Sequence, residues 1–276
     1  MGTYVVGDIH GCFLEWITLK RRIEVYDAEA VFILTGDILD RGPHVYEMLQ
    51  WAMEHITPSG KYQMIMGNHE FEKINWIQKY FAYQEEAKEN GEDITLYHMH
   101  PDKYDFYKMC KDKELNDLQL KEILNWLQSL PYFKEKIVQT PKGEQRYIIV
   151  HATVPTECLN KDGSFNEYSI TCSEKEGKKA WVAQELRERI LWNRDCAHND
   201  ATGNTIIVHG HTPTIIQKEK NRELVIGKIK RNGNDINVDC GIVYGALKSR
   251  GWLGDLAVIR LEDLEEFYYH NHSGIC

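Results

Sequence analysis

Short apolar runs, each ending abruptly in polar residues, recur along the chain. The clearest runs contain three to five mostly β-branched or aromatic residues and lie at 4–6, 31–34, 62–66, 147–150 and 205–208. This is the length of a buried strand. Later strands are predicted at 236–240 and 255–261. The pattern therefore predicts a sheet structure whose strands are buried by helices.

Segments with helical spacing lie between these strands. Residues 12–24 and 43–55 follow the first two strands and are predicted to be crossover helices. The stretch 71–135 is long, polar and mostly helical in pattern, and Pro131 stops its last apolar stripe. We interpret 71–135 as a helical insertion, or cap, on one α/β domain that spans residues 1–276. The polar stretch 156–180 is predicted to be a loop.

The first five predicted strands deliver polar side chains from their carboxyl ends. The residues in question are Asp8, His10, Asp37, Asn68, His151 and His211. The ends of strands in open α/β sheets converge on one site. A single Asp or His at such a position is usually a turn residue or a helix N-cap. Five such ends in one chain instead favour a metal site.

The ligand types narrow the choice of metal. Carboxylate, imidazole and amide oxygen together suit manganese, iron, zinc or nickel better than calcium or magnesium alone. Two metals roughly 3.5–4 Å apart can share a bridging carboxylate and clamp a phosphate. The sequence therefore predicts two divalent ions. The ligand set accepts any of the four metals, and Mn²⁺ is the one we expect.

Composition excludes several other classes of protein. The formal net charge of −9 argues against a nucleic-acid partner. No stretch approaches the roughly 18 apolar residues of a membrane helix, and the N-terminus lacks the pattern of a signal peptide. Seven scattered cysteines without a Cys-x-x-Cys pair suit a reducing compartment. We therefore expect a cytoplasmic protein with no membrane partner.

Six sequence blocks support a family resemblance. They are GDIHG at 7–11, GDILDRG at 36–42, GNHE at 67–70, VHA at 150–152, LWNRD at 191–195 and HGHTP at 209–213. In this order they resemble the phosphoprotein phosphatase family within the calcineurin-like metallophosphoesterases. The later blocks are similar to the bacterial and phage branch, which includes the lambda phage phosphatase. The first blocks also resemble bacterial symmetrical diadenosine tetraphosphatases. The resemblance implies an α/β fold, a two-sheet β-sandwich flanked by helices.

The resemblance also implies roles for individual residues. Asp8 and His10 would bind the first metal, and Asp37 would bridge both. The implied ligands of the second metal are Asn68, His151 and His211. Arg41 and Arg194, together with Asn68, would hold the substrate phosphate. His69 would be the general acid, oriented by Asp40, while a bridging hydroxide attacks directly.

The implied activity is metal-dependent hydrolysis of phosphate monoesters, with serine/threonine phosphoprotein as the leading substrate. The alternative is a symmetrical bis(5'-nucleosyl)-tetraphosphatase or another small-molecule phosphoesterase. A non-catalytic binding module would not need His69, Asp40 and both arginines. A nuclease or phosphodiesterase is disfavoured by Pro213, since such relatives tend to carry a second ligating histidine there. The motifs of cysteine, aspartyl and P-loop phosphate enzymes are all absent.

Overall fold

The computed structural model describes residues 1–92, 94–102, 106–171, 178–194, 204–216, 225–247 and 252–270. The strands are β1 (Thr3–Val6), β2 (Val31–Leu34), β3 (Tyr62–Met64), β4 (Phe133–Thr140), β5 (Gly143–Val150), β6 (Ile206–His209), β7 (Val225–Ile226), β8 (Lys230–Asn232), β9 (Asp235–Asn237), β10 (Ala246–Leu247), β11 (Trp252–Leu253), β12 (Asp255–Arg260) and β13 (Glu266–His270). The helices are α1 (Phe13–Tyr26), α2 (Val45–His55), α3 (Asn68–Glu89), α4 (Phe106–Asp112), α5 (Asp117–Gln128), α6 (Tyr168–Thr171) and α7 (Lys178–Trp192).

Two five-stranded mixed sheets form the centre of the protein. The first has the order β13-β12-β1-β2-β3, and the second has the order β4-β5-β6-β9-β8. Strands β1, β2 and β3 are parallel, as are β5, β6 and β9. A small third sheet has the order β10-β11-β7. The parallel strands within each sheet end at the same edge, where their following loops can meet.

Alternate residues along the central strands face different cores. In β1, Tyr4 and Val6 pack with α1 and α2, whereas Val5 packs towards the second sheet. In β5, Ile149 belongs to the core between the sheets, whereas Ile148 packs against α7. Because successive side chains of a strand point to opposite faces, continuous apolar strands are buried on both sides. The predicted two-sheet sandwich flanked by helices is confirmed.

The helical insertion begins earlier and ends earlier than the sequence predicts. Helix α3 starts at Asn68, and α5 ends at Gln128. Strand β4 then begins at Phe133, so the predicted end at about 135 falls just inside a strand. This strand was missed because its sequence FKEKIVQT is polar, with three charged residues in its first half and Val138 as its one buried residue.

The stretch 156–180 was predicted to be a loop, and this was wrong in part. Helix α6 lies within it and α7 begins at Lys178, while 172–177 lie outside the described residues. Within the described part of the chain, no helix combines the length and apolar character needed to cross a membrane.

Candidate metal centre

The predicted site residues lie on unusual backbone. Only seven non-glycine residues in the described ranges have positive φ, and five of them are predicted site residues. These five are His10 (+46°), Asp37 (+49°), Asp40 (+68°), Arg41 (+71°) and His211 (+68°). Such conformations are unfavourable for residues with a Cβ and persist only where surrounding contacts enforce them. Backbone strain is thus concentrated in the loops after β1, β2 and β6.

The loops after β2 and β3 touch through glycines. Gly36 has a φ of +95°, and a Cβ placed there would lie 2.5 Å from the amide nitrogen of Gly67. Only glycine allows this approach together with this conformation. The contact brings Asp37, at the end of one strand, beside Asn68, at the start of α3.

Glu70 holds the backbone of the loop after β2. Its buried carboxylate accepts hydrogen bonds from the backbone amides of Asp37 (2.7 Å), Ile38 (3.1 Å) and Leu39 (3.2 Å). Burial and the nearby Asp37 charge raise the pKa of Glu70 to about 7, against the opposing effect of these amides. Glu70 therefore supports the loop, and its oxygens are occupied by amides.

One group of donor atoms surrounds Asp37 on the side of β1. Asp37 Oδ2 lies 3.6 Å from His10 Nε2 and 3.8 Å from His69 Nε2. His10 Nδ1 lies 2.8 Å from the carbonyl oxygen of Leu39, so Nδ1–H donates there and Nε2 keeps its lone pair. Burial and the neighbouring His69 lower the pKa of His10 well below its usual range. His10 is therefore neutral, and its Nε2 lone pair is available to a metal ion.

A second group shares the same carboxylate. His151 Nε2 lies 3.5 Å from Asp37 Oδ2 and 2.8 Å from Asn68 Oδ1. His211 Nδ1 lies 2.9 Å from Asn68 Oδ1 and 3.2 Å from His151 Nε2. His151 Nδ1 donates to the carbonyl oxygen of Thr35 at 2.8 Å, which points Nε2 at the group. Asp37, Asn68, His151 and His211 therefore converge from four different loops.

This second arrangement fits a bound cation. Since Nδ1–H of His151 donates to the backbone, its Nε2 is an acceptor that faces another acceptor, the Asn68 oxygen. Two acceptors at 2.8 Å are unfavourable unless a proton or a cation lies between them. Although burial lowers it, the Asp37 carboxylate raises the pKa of His151 to about 9, so a proton takes this place when no cation does. Burial and His151 lower the pKa of His211 to about 3.

Asp8 lies beside the two donor groups but belongs to neither three-residue cluster of His and Asp. Its Oδ1 accepts from Thr35 Oγ1 at 3.0 Å, and its Oδ2 accepts from the backbone amide of His211 at 3.0 Å. Burial and the charge of Asp239 raise the pKa of Asp8 well above its usual range. The carboxylate is thus placed next to Asp37 in a region that disfavours anions unless positive charge is present.

His69 is held on both ring nitrogens. Its Nδ1–H donates to Asp40 Oδ2 at 2.6 Å, and its Nε2 accepts from Arg41 Nη2 at 3.0 Å. His69 and Asp40 are each 1% exposed, whereas Arg41 is exposed. The predicted pairing of Asp40 with His69 is therefore present, with Arg41 at the solvent side of the ring.

Two further charged residues lie near the site: Arg194, which was predicted, and Asp239, which was not. Arg194 lies just beyond α7, is exposed, and is close enough to His211 for its charge to lower that pKa. Asp239 was not singled out from the sequence, yet burial raises its pKa to about 6. The charge of Arg41 lowers this pKa and the charge of Asp37 raises it. The sequence contains a pattern that could have indicated Asp239, because Val238-Asp239-Cys240-Gly241 is again the end of an apolar strand followed by aspartate and glycine.

Comparisons with known proteins agree with this geometry. Residues 1–245 match the model of the calcineurin-like phosphoesterase family. Two relatives named bis(5'-nucleosyl)-tetraphosphatase PrpE, described as asymmetrical, come from Bacillus cereus (strain Q1) and Bacillus anthracis (strain CDC 684). Each is 23% identical over 269 residues, covering 95% of this chain and 91% of the relative. A serine/threonine phosphatase structure from Saccharomyces cerevisiae, with similarity to human phosphatase PP5, has a TM-score of 0.55 at 15% identity. The match covers 99% of this chain and 80% of that one, and it shows the shared fold.

Proposed function

The chain belongs to the calcineurin-like phosphoesterase family, and on that premise we propose that it hydrolyses phosphate esters at a centre for two divalent metal ions. One observation carries the proposal: two groups of buried donor atoms share Asp37, and the first of them includes His69, whose Nδ1 lies 2.6 Å from Asp40 Oδ2. A site that only binds phosphate would not need an imidazole backed by a carboxylate. The combination favours catalysis.

The metal ligands in this proposal follow the geometry of the loops. His10 and Asp8 would serve one ion, while Asn68, His151 and His211 would serve the other, with Asp37 between them. Bound divalent ions supply Lewis acidity to phosphate oxygens and lower the pKa of a coordinated water. The backbone carbonyls of Leu39 and Thr35 hold His10 and His151 in the tautomer that leaves Nε2 available.

Arg41 and Arg194 are the proposed phosphate ligands. Both guanidinium groups belong to exposed residues at the edge of the centre, and the planar fork suits two oxygens of one phosphate. Arg41 donates to His69 Nε2 at 3.0 Å. A bound phosphate competes for this guanidinium, because charge-assisted bonds to an anion are the stronger ones. Substrate binding therefore frees Nε2 of His69 for the leaving oxygen.

His69 is the proposed proton donor. Once Arg41 has turned to the phosphate, the freed Nε2 takes up a proton from solvent. As a water molecule attacks phosphorus and the bond from phosphorus to the leaving oxygen breaks, this proton passes to the leaving oxygen. Nδ1–H keeps its hydrogen bond to Asp40 throughout, and the carboxylate stabilises the charged ring before transfer. General-acid assistance of this kind contributes roughly 10²–10⁴-fold. The contribution is greatest for leaving groups that are poor without protonation.

For the substrate, we place dinucleoside polyphosphates first. The relatives matched over 95% of this chain carry that activity in their names, and they are described as asymmetrical rather than symmetrical. Phosphoserine or phosphothreonine protein, the leading expectation from the motifs, is the second candidate. Pro213 favours it, because proline supplies no further metal ligand of the type found in diesterase relatives.

The test compares the two substrate classes side by side. The Mn²⁺-loaded protein is assayed for kcat/KM on diadenosine tetraphosphate and on a phosphothreonine peptide. A ratio of at least about tenfold assigns the class. The nucleotide products decide the cleavage position, since ADP alone means symmetrical and ATP with AMP means asymmetrical hydrolysis. No metal-stimulated turnover of either substrate or of p-nitrophenyl phosphate would refute the proposed function.

A further inference from the structure

A buried lysine lies directly behind the proposed proton donor. Lys73, on α3, is 1% exposed, and its Nζ lies 2.7 Å from Asp40 Oδ2 and 2.7 Å from Asp102 Oδ2. Lysine is almost never fully buried unless it is paired. Burial lowers the pKa of Lys73, but the Asp40 and Asp102 carboxylates raise it by more than burial lowers it, so the net shift of the pKa is upwards. The lysine is therefore a fixed cation between two anions.

The lysine restrains the carboxylate that holds His69. Asp40 Oδ2 accepts both from His69 Nδ1 at 2.6 Å and from Lys73 Nζ at 2.7 Å. Asp40 Oδ1 is buried and has no hydrogen-bond partner among the described residues. With one oxygen held by two donors, the carboxylate cannot rotate without breaking both bonds. Without Lys73, the contact with His69 alone would have to fix the orientation of the carboxylate.

The third member of this chain comes from the helical insertion. Asp102 precedes α4, and its Oδ1 accepts from the backbone amide of Tyr107 at 2.8 Å. The Phe106 ring of the same helix lies 5.8 Å from Lys73 Nζ. Asp102 thus supplies the second anion for Lys73, and Phe106, the first residue of α4, supplies the apolar cover over it. The insertion is physically connected to His69 through Asp102, Lys73 and Asp40.

We propose that Lys73 and Asp102 are positioning residues that hold Asp40, and through it His69, in the geometry needed for proton donation. The role of His69 in this proposal rests on the proposed function. The insertion thereby has a role in the reaction, because it fixes the proton donor from the side opposite the metal ligands. Neither Lys73 nor Asp102 is one of the proposed metal ligands, so their substitution leaves that ligand set unchanged.

The kinetic test separates positioning from a merely structural ion pair. Lys73→Met and Asp102→Ala are compared with Lys79→Met, whose lysine lies on the same helix but is exposed. For Lys73→Met, we expect kcat on phenyl phosphate to fall at least about 30-fold and kcat on p-nitrophenyl phosphate less than about threefold, with KM within about twofold. Asp102→Ala should show the same pattern with about a fivefold loss on phenyl phosphate. Equal losses on both esters would overturn the proposal.

A readout without metal or substrate distinguishes this proposal from the proposed function. The Nδ1–H proton of His69, assigned by its loss in His69→Asn, should give a protected downfield ¹H resonance in the metal-free protein. It should be lost or shifted in Lys73→Met, weakened in Asp102→Ala and unchanged in Lys79→Met. An unchanged resonance in Lys73→Met, or in Asp102→Ala if Lys73→Met does not fold, would overturn the positioning role. Inactivity of the wild type with every phosphoester would refute the proposed function and leave this result standing.

Discussion

The Glu70 carboxylate accepts a hydrogen bond from the backbone amide of Asp37 at 2.7 Å, across 33 positions of sequence. The same side chain also accepts from the amides of Ile38, Leu39 and Gly67. One buried carboxylate thus accepts hydrogen bonds from backbone amides of the loop that have no acceptor within a strand or helix. The position of Asp37 depends on this contact, because the residue itself is held at a φ of +49°.

Glu70→Gln should destabilise the protein strongly. The glutamine amide would turn an N–H group towards backbone N–H donors, so at least one buried donor loses its acceptor. We expect a loss of about 2–4 kcal/mol in the free energy of unfolding, measured by urea denaturation at pH 8, where the native carboxylate is ionised. Glu85→Gln, at an exposed position of the same helix, is the control and should lie within about 0.5 kcal/mol of wild type. A Glu70→Gln protein as stable as this control would contradict the loop-holding role.

Gly36→Ala should disrupt the contact between the loops after β2 and β3. The added Cβ would meet the Gly67 amide nitrogen at 2.5 Å and would also occupy a backbone with φ of +95°. We expect a loss of at least about 3 kcal/mol, with both strain and clash contributing. Gly143→Ala is the matched control, because its φ is +112° but its Cβ would meet nothing within 4 Å. That variant should lose only about 1 kcal/mol; equal losses in both would show that the close approach is unimportant.

His69→Asn tests the proposed proton donor. The substitution removes the transferable proton but leaves the metal ligands in place, so the loss should depend on the leaving group. We expect a fall of about 100-fold or more in kcat on phenyl phosphate and less than about tenfold on p-nitrophenyl phosphate. His55→Asn, at the exposed end of α2, is the control. Equal losses on the two esters would mean that His69 only supports the structure.

Asp239→Asn should stabilise the metal-free protein in a pH-dependent way. Burial raises the pKa of Asp239 to about 6, so the native state holds this proton more tightly than the unfolded chain. The stability from this group is present at low pH and is lost as the pH rises towards and through 6. Asparagine avoids that loss, so its advantage over wild type should grow between about pH 4 and 6 and level off above, at up to about 3 kcal/mol. A pH-independent difference in Tm would contradict this assignment.

The strand ends could be predicted because their signal is local. An apolar run of strand length followed by Gly-Asp or Gly-Asn-His indicates a buried strand that delivers a polar side chain, and Asp37 and Asn68 follow this pattern. The alternation of Tyr4, Val5 and Val6 between two cores could also be anticipated from the period of a strand. Local pattern and tertiary structure agree wherever one element decides the outcome.

What the sequence could not predict depends on contacts between distant elements. Lys73 looks like one of many polar residues on α3, and only the packing of Asp102 against it makes it a buried partner of Asp40. The positive φ of Arg41 is likewise imposed by neighbouring loops, since no feature of arginine favours it. Strand β4 was missed because a half-exposed strand with charged residues resembles the polar segment before it.

In the proposed site two metal ions share Asp37, and the metal content of the protein tests this sharing. Wild type and Asp37→Asn are dialysed to equilibrium against Mn²⁺, and bound manganese is measured per chain by elemental analysis. The shared carboxylate predicts two ions per wild-type chain and less than about one in Asp37→Asn, because both groups lose the same anion. A single ion in the wild type, or two ions retained by Asp37→Asn, would contradict shared coordination by Asp37.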